Sequence, residues 1–258
     1  MAEMEQLRLF GKDNEDTRKL EQHTPSHPRP RPDEPPTNRT LPPWSQASGG
    51  GAPTKPMQAE QTAGLWEIGT PRRDLTNLDA IAQEVAGCRL CKLGHTRTNA
   101  VPGEGNPQAR IMFVGEGPGA EEDAQGRPFV GSAGKLLDKL IVSMDLKRED
   151  VFIGNVVKCR PPRNRDPEPG EVKACMPYLA RQIDIIRPDV LVILGATALR
   201  ALIDPKARIT RVRGDWLERS GIMVMPTFHP AALLRDPSKK LLVWEDMKKV
   251  LSFLDETN

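Results

Sequence analysis

The stretch that decides the fold is G-E-G-P-G-A-E-E-D, residues 115–123, which directly follows the apolar run at residues 109–114. An apolar run that ends in a glycine-rich turn is typical of a buried strand that opens into a binding loop. The usual ligand of such a turn is a phosphate, but carboxylates repel phosphates. This turn carries four carboxylates: Glu116, Glu121, Glu122 and Asp123. Its glycine spacing also departs from the dinucleotide fingerprint G-x-G-x-x-G, which argues against nucleotide binding.

Apolar runs alternate with amphipathic patterns in the part of the chain that follows Leu75. The predicted strands are Arg110–Val114, Val151–Val157, Val190–Leu194 and Ile222–Met225. The predicted helices are Thr76–Ala86, Ser132–Met144, Glu171–Ile186, Thr197–Leu202 and Ser238–Leu254. Strands separated by helices require a parallel sheet that is covered on both faces. The predicted fold is therefore α/β, a three-layer α/β/α arrangement around a central four-stranded parallel sheet, with its site at the carboxyl ends of the strands.

The first part of the chain has a different composition. Residues 1–75 are rich in proline, serine, threonine, glycine and charged residues. Such a segment buries too little apolar surface to offset the entropy lost on ordering. We interpret residues 1–75 as a disordered, proline-rich N-terminal tail and residues 76–258 as the globular domain.

The overall composition excludes little. The chain of 258 residues carries 37 Lys and Arg against 35 Asp and Glu, so net charge alone indicates no partner. No apolar run of membrane-spanning length occurs, and the N-terminus lacks the features of a secretory signal. We expect a cytoplasmic protein with no membrane contact. In that reducing compartment its four cysteines are either buried apolar side chains or metal ligands, not disulfides.

Three of the four strand-end loops carry suggestive residues. The first is G-E-G-P-G-A-E-E-D-A-Q-G-R-P-F-V-G at 115–131, the second is G-N-V-V-K-C-R-P-P-R-N-R-D-P at 154–167, and the third is P-T-F-H-P-A-A-L-L-R at 226–235. Together with four cysteines in the same order, these loops resemble the family 4 uracil-DNA glycosylases, the iron–sulfur branch of that superfamily. The resemblance covers residues 76–254, which is nearly all of the predicted domain.

The resemblance implies that the protein flips deoxyuridine out of DNA and hydrolyses its N-glycosidic bond, leaving free uracil and an abasic site. His229 would donate a hydrogen bond to uracil O2, and Asn155 would pair with O4 and N3–H, a pattern that cytosine reverses. Phe129 would stack on the base. The rest of the pocket would be lined by Glu116, Gly117 and Pro118. The nearest lysine, Lys158, is on the cluster side of Asn155 and is not a Schiff-base candidate, so we expect a monofunctional enzyme without a lyase step.

The group that positions the attacking water stays open at this point. Better-known relatives carry an aspartate at the position of Gly117. This chain lacks that aspartate, and so does family 4 in general. A carboxylate from Glu116 or from Glu122 could hold the water instead. Glu121 and Asp123 are expected to be solvated charges near a helix start, where they complement the helix dipole.

Two segments are expected to contact the DNA itself. Leu233, with Leu234 and Arg235 beside it, resembles the wedge that fills the gap left by the flipped base. Arg160, Arg163 and Arg165 lie in the loop after the Asn155 strand, where they would contact phosphates unless the loop is simply a solvated basic segment.

The cysteines form the pattern Cys88-x2-Cys91, then Cys159, then Cys175. Thiolates suit iron–sulfur clusters and zinc alike, so the spacing does not choose between them. The resemblance implies a [4Fe–4S] cluster with these four ligands, in a structural role that pins residues 88–91 to the loop between Cys159 and Cys175.

The N-terminal tail holds one more candidate site. Gln6-Leu7-Arg8-Leu9-Phe10 resembles the short peptide with which bacterial repair proteins dock on the replicative sliding clamp. Uracil-containing DNA is the expected substrate, at the nucleoid, and a monomer is the expected state. Two alternatives stay open: a uracil-DNA binding protein without turnover, and a nucleotide-binding α/β protein with a structural zinc.

Overall fold

The computed structural model describes residues 75–257. The predicted tail except Leu75, and with it the clamp peptide at residues 6–10, therefore lies outside the described residues. Leu75 is 8% exposed and packs in the core of the domain. Within the described part, no helix combines the length and the apolar character needed to cross a bilayer.

The described residues form a mixed sheet of six strands in the order β1-β3-β2-β4-β6-β5. The strands are Glu104–Gly105 (β1), Ile111–Gly115 (β2), Phe152–Asn155 (β3), Val190–Leu194 (β4), Leu217–Arg219 (β5) and Ile222–Thr227 (β6). The four inner strands are parallel, which confirms the predicted central sheet. The outer strands β1 and β5 pair antiparallel to β3 and β6 and were not predicted, because two or three mostly polar residues give no strand pattern.

Helices cover both faces of the sheet. They are Leu78–Gly87 (α1), Leu93–Thr96 (α2), Ala120–Gln125 (α3), Ser132–Ser143 (α4), Pro169–Ile186 (α5), Ala196–Leu202 (α6), Ile209–Val212 (α7), Pro230–Arg235 (α8) and Lys239–Glu256 (α9). The five predicted helices correspond to α1, α4, α5, α6 and α9, with ends shifted by a few residues. The short helices α2, α3, α7 and α8 were not predicted, because one or two turns are too short to show a helical period.

Alternation along the strands divides the core into two layers. In β2, Met112 and Val114 pack with α1, α5 and α6, whereas Ile111 and Phe113 pack with α4 and α9. Strand β4 alternates in the same way, and all five of its residues are buried. This arrangement confirms the three-layer α/β/α prediction, since each sheet face has its own helices.

The chain order of the strands explains where a site can form. The chain passes from β2 to β3 on one side and then returns past β2 to β4 on the other. Helices therefore leave the carboxyl ends of β2 and β4 towards opposite faces, and a crevice opens between them. The loops after the parallel strands meet at this crevice.

Candidate active site

The loops that follow β2, β3, β4 and β6 surround one cleft of about 800 Å³. This volume falls within the range of about 300–1,000 Å³ that is usual for sites of small ligands and cofactors. All the predicted pocket residues line it: Glu116, Gly117, Pro118, Phe129, Asn155 and His229. Residues that are far apart in the sequence therefore meet at the predicted edge of the sheet.

Asn155 ends strand β3, and its side chain is 1% exposed. Its Oδ1 is a buried acceptor for which residues 75–257 supply no hydrogen-bond partner. Buried polar atoms are almost always paired, and leaving one unpaired costs about 1–3 kcal/mol. Because Asn155 lines the cleft, the missing donor is best explained by a ligand.

Phe129 forms the neighbouring wall of the cleft. Its backbone has φ of 50°, a left-handed conformation that is uncommon for an aromatic residue. Its ring lies 5.5 Å from the His229 ring, at an interplanar angle of 32°. Gly115 lets the two walls approach: a Cβ there would lie 2.5 Å from Phe129 Cζ and 2.6 Å from Asn155 Oδ1. The glycine thus permits the close approach of an aromatic face and an amide.

His229 follows strand β6 and caps helix α8. Its Nδ1 accepts a hydrogen bond from the backbone N–H of Ala231 at 3.1 Å. Burial lowers its pKa to about 4, with a further lowering by Arg235 that Glu122 partly opposes. The ring is therefore neutral at pH 7. Since Nδ1 is an acceptor, the proton is on Nε2, which is left as the donor of the ring.

Glu122 organises the glycine-rich loop. Its Oε1 accepts from the backbone N–H of Val130 at 3.0 Å and of Gly131 at 2.9 Å, and its Oε2 accepts from that of Gly119 at 3.1 Å. The carboxylate thus ties the start of α3 to the segment that follows Phe129. Three backbone donors already occupy it, so it has little capacity left for a water.

Glu116 has different surroundings. It is half-buried beside Thr197, Asp166 and Arg200. Burial raises its pKa, and the charge of Asp166 adds to this, while a hydrogen bond with Thr197 and the charge of Arg200 act in the opposite direction. A carboxylate with raised basicity at a cleft is suited to hold and polarise a water.

The other two acids of the run also differ from each other. Glu121 is exposed, as predicted. The prediction of a solvated charge is wrong for Asp123, which is 5% exposed and accepts from the backbone N–H groups of Thr98 at 2.9 Å and Asn99 at 3.4 Å. Asp123 therefore connects α3 to the segment after the first cysteine pair. This contact could not be predicted from the sequence, because the partners are backbone groups some 25 residues away.

The four cysteines line a second pocket, on the α1 and α5 side of the sheet. Cys159 and Cys175 are buried, while Cys88 and Cys91 are partly buried, and all four are free thiols. Arg97 Nη1 donates to Cys159 Sγ at 2.8 Å, and the Lys158 backbone N–H donates to Cys175 Sγ at 3.2 Å. Burial raises the pKa of the Cys175 thiol to about 12, so it does not ionise at neutral pH unless a metal binds it.

The convergence of these thiols fits a ligand set for a cluster. Hydrogen bonds from nearby N–H groups to sulfur are the usual surroundings of iron–sulfur ligands. In the part of the chain that the structure describes, no group of three or more His, Cys, Asp or Glu side chains is placed so that it could hold a metal ion.

The chain is similar to known proteins over most of its length. Residues 102–249 match the family model of the uracil DNA glycosylase superfamily. A type-4 uracil-DNA glycosylase of Thermotoga maritima is 54% identical over 183 residues, which is 69% of this chain and 94% of that protein. The type-4 enzyme of Sulfurisphaera tokodaii is 51% identical, over 68% of this chain and 84% of that protein. The type-4 enzyme of Archaeoglobus fulgidus is 47% identical, over 68% and 92%.

The chain belongs to the type-4 uracil-DNA glycosylase family. The resemblance inferred from three loops and four cysteines is confirmed. The alternative of a nucleotide-binding protein with a structural zinc lies outside this family and is set aside.

The burial of Leu233 is inconsistent with its predicted role as the DNA wedge. Leu233, expected as an exposed wedge, is 1% exposed and packs in the core layer of α4 and α9. Leu234 is 48% exposed. The reason is helix α8: successive residues on a helix point in directions about 100° apart, so one of two adjacent leucines faces the core. Arg235 is exposed and lines the cleft, as its predicted role requires.

The three loop arginines are not equivalent either. Arg165 donates from both Nη atoms to the Glu171 carboxylate, at 2.8 and 2.7 Å. Arg160 Nε donates to Asn164 Oδ1 at 2.7 Å. Arg163 is exposed on a 3-10 turn with φ of 57°. Of the three, Arg163 is the one presented to solvent.

Several cleft residues were not identified from the sequence. Thr197 and Arg200 come from α6, and Lys239 comes from the start of α9. The carboxyl end of the strand that ends at Leu194 was predicted to face the site, and this could have identified Thr197 and Arg200. Lys239 had none, and its ammonium pairs with Asp236 at 2.8 Å and lies 5.6 Å from the Phe228 ring centre.

Proposed function

We propose that the protein excises uracil from DNA by hydrolysing the bond between N1 of the base and C1′ of deoxyribose. The observation that carries the proposal is the unpaired, buried Oδ1 of Asn155 beside the Phe129 ring. A planar base with an N–H donor would stack on the Phe129 ring and also donate a hydrogen bond to Asn155 Oδ1. Membership of the type-4 uracil-DNA glycosylase family supports the same substrate.

Asn155 would select uracil by its amide. Its Oδ1 accepts from uracil N3–H, and its NH2 donates to O4. Cytosine offers an acceptor at N3 and a donor at position 4, so both contacts would become repulsive. Phe129 would stack on the face of the extruded base, while Gly117 and Pro118 close the pocket around its edge.

His229 would stabilise the leaving group. Negative charge develops on uracil O2 as the glycosidic bond breaks, and a donor placed there acts more strongly in the transition state than in the ground state. The neutral ring supplies Nε2–H as that donor, held in orientation by the Ala231 N–H on its other nitrogen.

Glu116 would position the attacking water. Of the two glutamates considered, Glu122 already accepts three backbone hydrogen bonds, whereas Glu116 lines the cleft with a raised pKa. As the C1′–N1 bond breaks, the water oxygen adds to C1′, the water proton passes to the Glu116 carboxylate, and uracil departs as an anion. Lys158, the nearest lysine to Asn155, donates to the Asn155 carbonyl and to Gln182, so it supports hydrolysis without a lyase step.

Cys88, Cys91, Cys159 and Cys175 would hold a [4Fe–4S] cluster. When bound, the cluster would supply a covalent cross-link between the first cysteine pair and the segment that continues from Asn155 to α5. The chain's own contribution is the pair of hydrogen bonds to sulfur from Arg97 and Lys158. Iron and sulfide analysis, with the visible absorbance of the purified protein, distinguishes this cluster from zinc.

The DNA contacts follow from exposure. We assign the wedge to Leu234 in place of the buried Leu233, and phosphate contacts to Arg163 and Arg235. Arg160 and Arg165 would support the loop that presents Arg163. The protein would act as a monomer at chromosomal DNA, and Gln6, Leu7, Leu9 and Phe10 would tether it to the sliding clamp. An unchanged clamp affinity after Leu9→Ala with Phe10→Ala would contradict the tether.

The experiment that tests the function is uracil release from an oligonucleotide with one deoxyuridine, with Asn155→Ala and His229→Ala in parallel. We expect free uracil and an alkali-labile site with the native chain, and losses of about 100-fold or more in both variants. Tight binding without release would instead favour a uracil-DNA binding protein.

A further inference from the structure

Arg148 lies outside the cleft and outside every loop that the sequence identified as a site. It opens a 3-10 turn, Arg148–Asp150, directly before strand β3, which ends at Asn155. Its side chain is 22% exposed, which is low for an arginine at a turn. A half-buried guanidinium needs partners for its donors, and their identity shows what it does.

The partners of Arg148 converge on Phe129. Its Nη1 donates to the Phe129 carbonyl at 3.3 Å, and its Nη2 donates to the carbonyl of Pro128. One guanidinium therefore binds two successive carbonyls of the segment that turns the aromatic ring into the cleft. This is also the segment with φ of 50° at Phe129, which persists only when its surroundings hold it.

Two carboxylates hold the guanidinium in turn. Glu104 of β1 accepts from Arg148 Nε at 2.8 Å, and Asp138 of α4 accepts from Nη1 at 2.6 Å. Burial acts to raise the pKa of Glu104, but hydrogen bonds from Arg127 and Arg148, together with their charges, outweigh it and lower the pKa, so the carboxylate stays ionised. Arg148 thus links β1, α4 and the Phe129 segment at the base of β3.

Helix α4 packs directly beneath the same segment. A Cβ at Gly134, in the first turn of α4, would collide with the backbone of Phe129. Asp138 is one turn further along the helix. The segment is therefore confined from below by α4 and from the side by Arg148.

We propose that Arg148 is a positioning residue that sets the Phe129 ring for stacking on the extruded base. The proposal rests on the proposed function, since it concerns the residue that would stack on uracil. It assigns Arg148 no contact with the substrate. Its effect on the reaction passes through Phe129.

Arg127 provides a matched control. It stands two residues before Phe129 and pairs with the same Glu104, at 2.8 and 3.0 Å, but its side chain is 55% exposed. Its guanidinium donates to Glu104, whereas that of Arg148 also donates to the carbonyls of Pro128 and Phe129. Arg127→Met and Arg148→Met each remove one arginine from Glu104. They differ in whether the two carbonyls lose their donor.

The test is a double-mutant cycle on the intact, cluster-containing chain, with Arg148→Met, Phe129→Ala and the pair combined. We expect kcat/KM on single-stranded deoxyuridine DNA to fall about 10- to 100-fold for Arg148→Met, and less than about threefold for Arg127→Met. On the Phe129→Ala background, Arg148→Met should add less than about threefold, since its target is gone. Multiplicative effects would overturn the proposal.

Two further measurements keep the result decisive. Arg148→Lys retains a charge for Glu104 and Asp138 but cannot bridge both carbonyls, so it should fold with normal visible absorbance and still lose most of the activity. Full activity in this variant would also overturn the proposal. If Phe129→Ala itself equals the native chain, or if the native chain releases no uracil, it is the proposed function that fails.

Discussion

The start of helix α3 and the ends of strands β2 and β3 use their polar side chains in opposite ways. At the start of α3, Glu122 and Asp123 accept hydrogen bonds from backbone N–H groups of three separate segments. At the strand ends, Asn155 Oδ1 has no partner among the described residues, and Glu116 has a raised pKa. Glu122 and Asp123 therefore hold the loop together, whereas Asn155 and Glu116 keep polar atoms for a ligand.

The largest expected effect comes from closing the gap between the two cleft walls. In Gly115→Ala, a methyl group would meet Phe129 Cζ and Asn155 Oδ1, so one wall must move. We expect kcat/KM for uracil release to fall about 100-fold or more. Gly170→Ala is the control, because a Cβ there meets nothing within 4 Å. Similar activity in both variants would mean that Phe129 and Asn155 do not need their present spacing.

Glu116→Gln should separate chemistry from stability. We expect kcat to fall by about 10- to 100-fold, because the amide is a poor acceptor for a proton from water. Burial raises the pKa of Glu116, so the ionised form disfavours the folded state. This loss of folding stability is absent below the ordinary pKa of a glutamate in the unfolded chain. It grows as the pH rises through the higher pKa of Glu116 in the folded protein. Thermal unfolding at pH 7 should therefore show equal or higher stability for the variant.

Glu122→Gln should show the reverse pattern. An amide NH2 would replace one acceptor oxygen against the backbone donors of Gly119, Val130 and Gly131. We expect the free energy of unfolding to fall by about 1–3 kcal/mol. Denaturant titration measures this change. If this variant instead lost kcat at unchanged stability, Glu122 rather than Glu116 would be the group that handles the water.

The smallest expected effect concerns pH. Because the pKa of His229 is lowered to about 4, its protonation state does not change between pH 6 and 8. NMR titration of its ring protons should show a midpoint well below 6.5. The neutral ring contributes to stability above pH 6.5, and this contribution is lost as pH falls from 6.5 towards 4. A midpoint near 6.5 would contradict the buried, neutral donor.

The sequence was sufficient for the architecture and for much of the cleft, for a physical reason. Strand and helix periods depend on local composition, and parallel strands place their carboxyl ends together whatever their spacing along the chain. Asn155 and His229 could therefore be placed at the site edge, and the resemblance of their loops to a known family supplied their predicted roles. Arg148 and Asp123 were not identified, because their partners are distant in the sequence and come close only in the folded chain, and several of them are backbone groups without a sequence pattern. Leu233 and Leu234 could not be distinguished until the orientation of α8 was known.

Helix α8 adds a mechanical consequence to the division between its two leucines. Leu233 anchors the helix in the core layer, and the adjacent Leu234 is exposed. A tip that separates stacked bases must resist being pushed back, and a tip on a free loop would bend under that load. Here any force on Leu234 passes within one residue into a packed interior of low compressibility. In the proposed function, the packed core behind Leu234 keeps helix α8 in position, so the DNA changes shape and the helix does not.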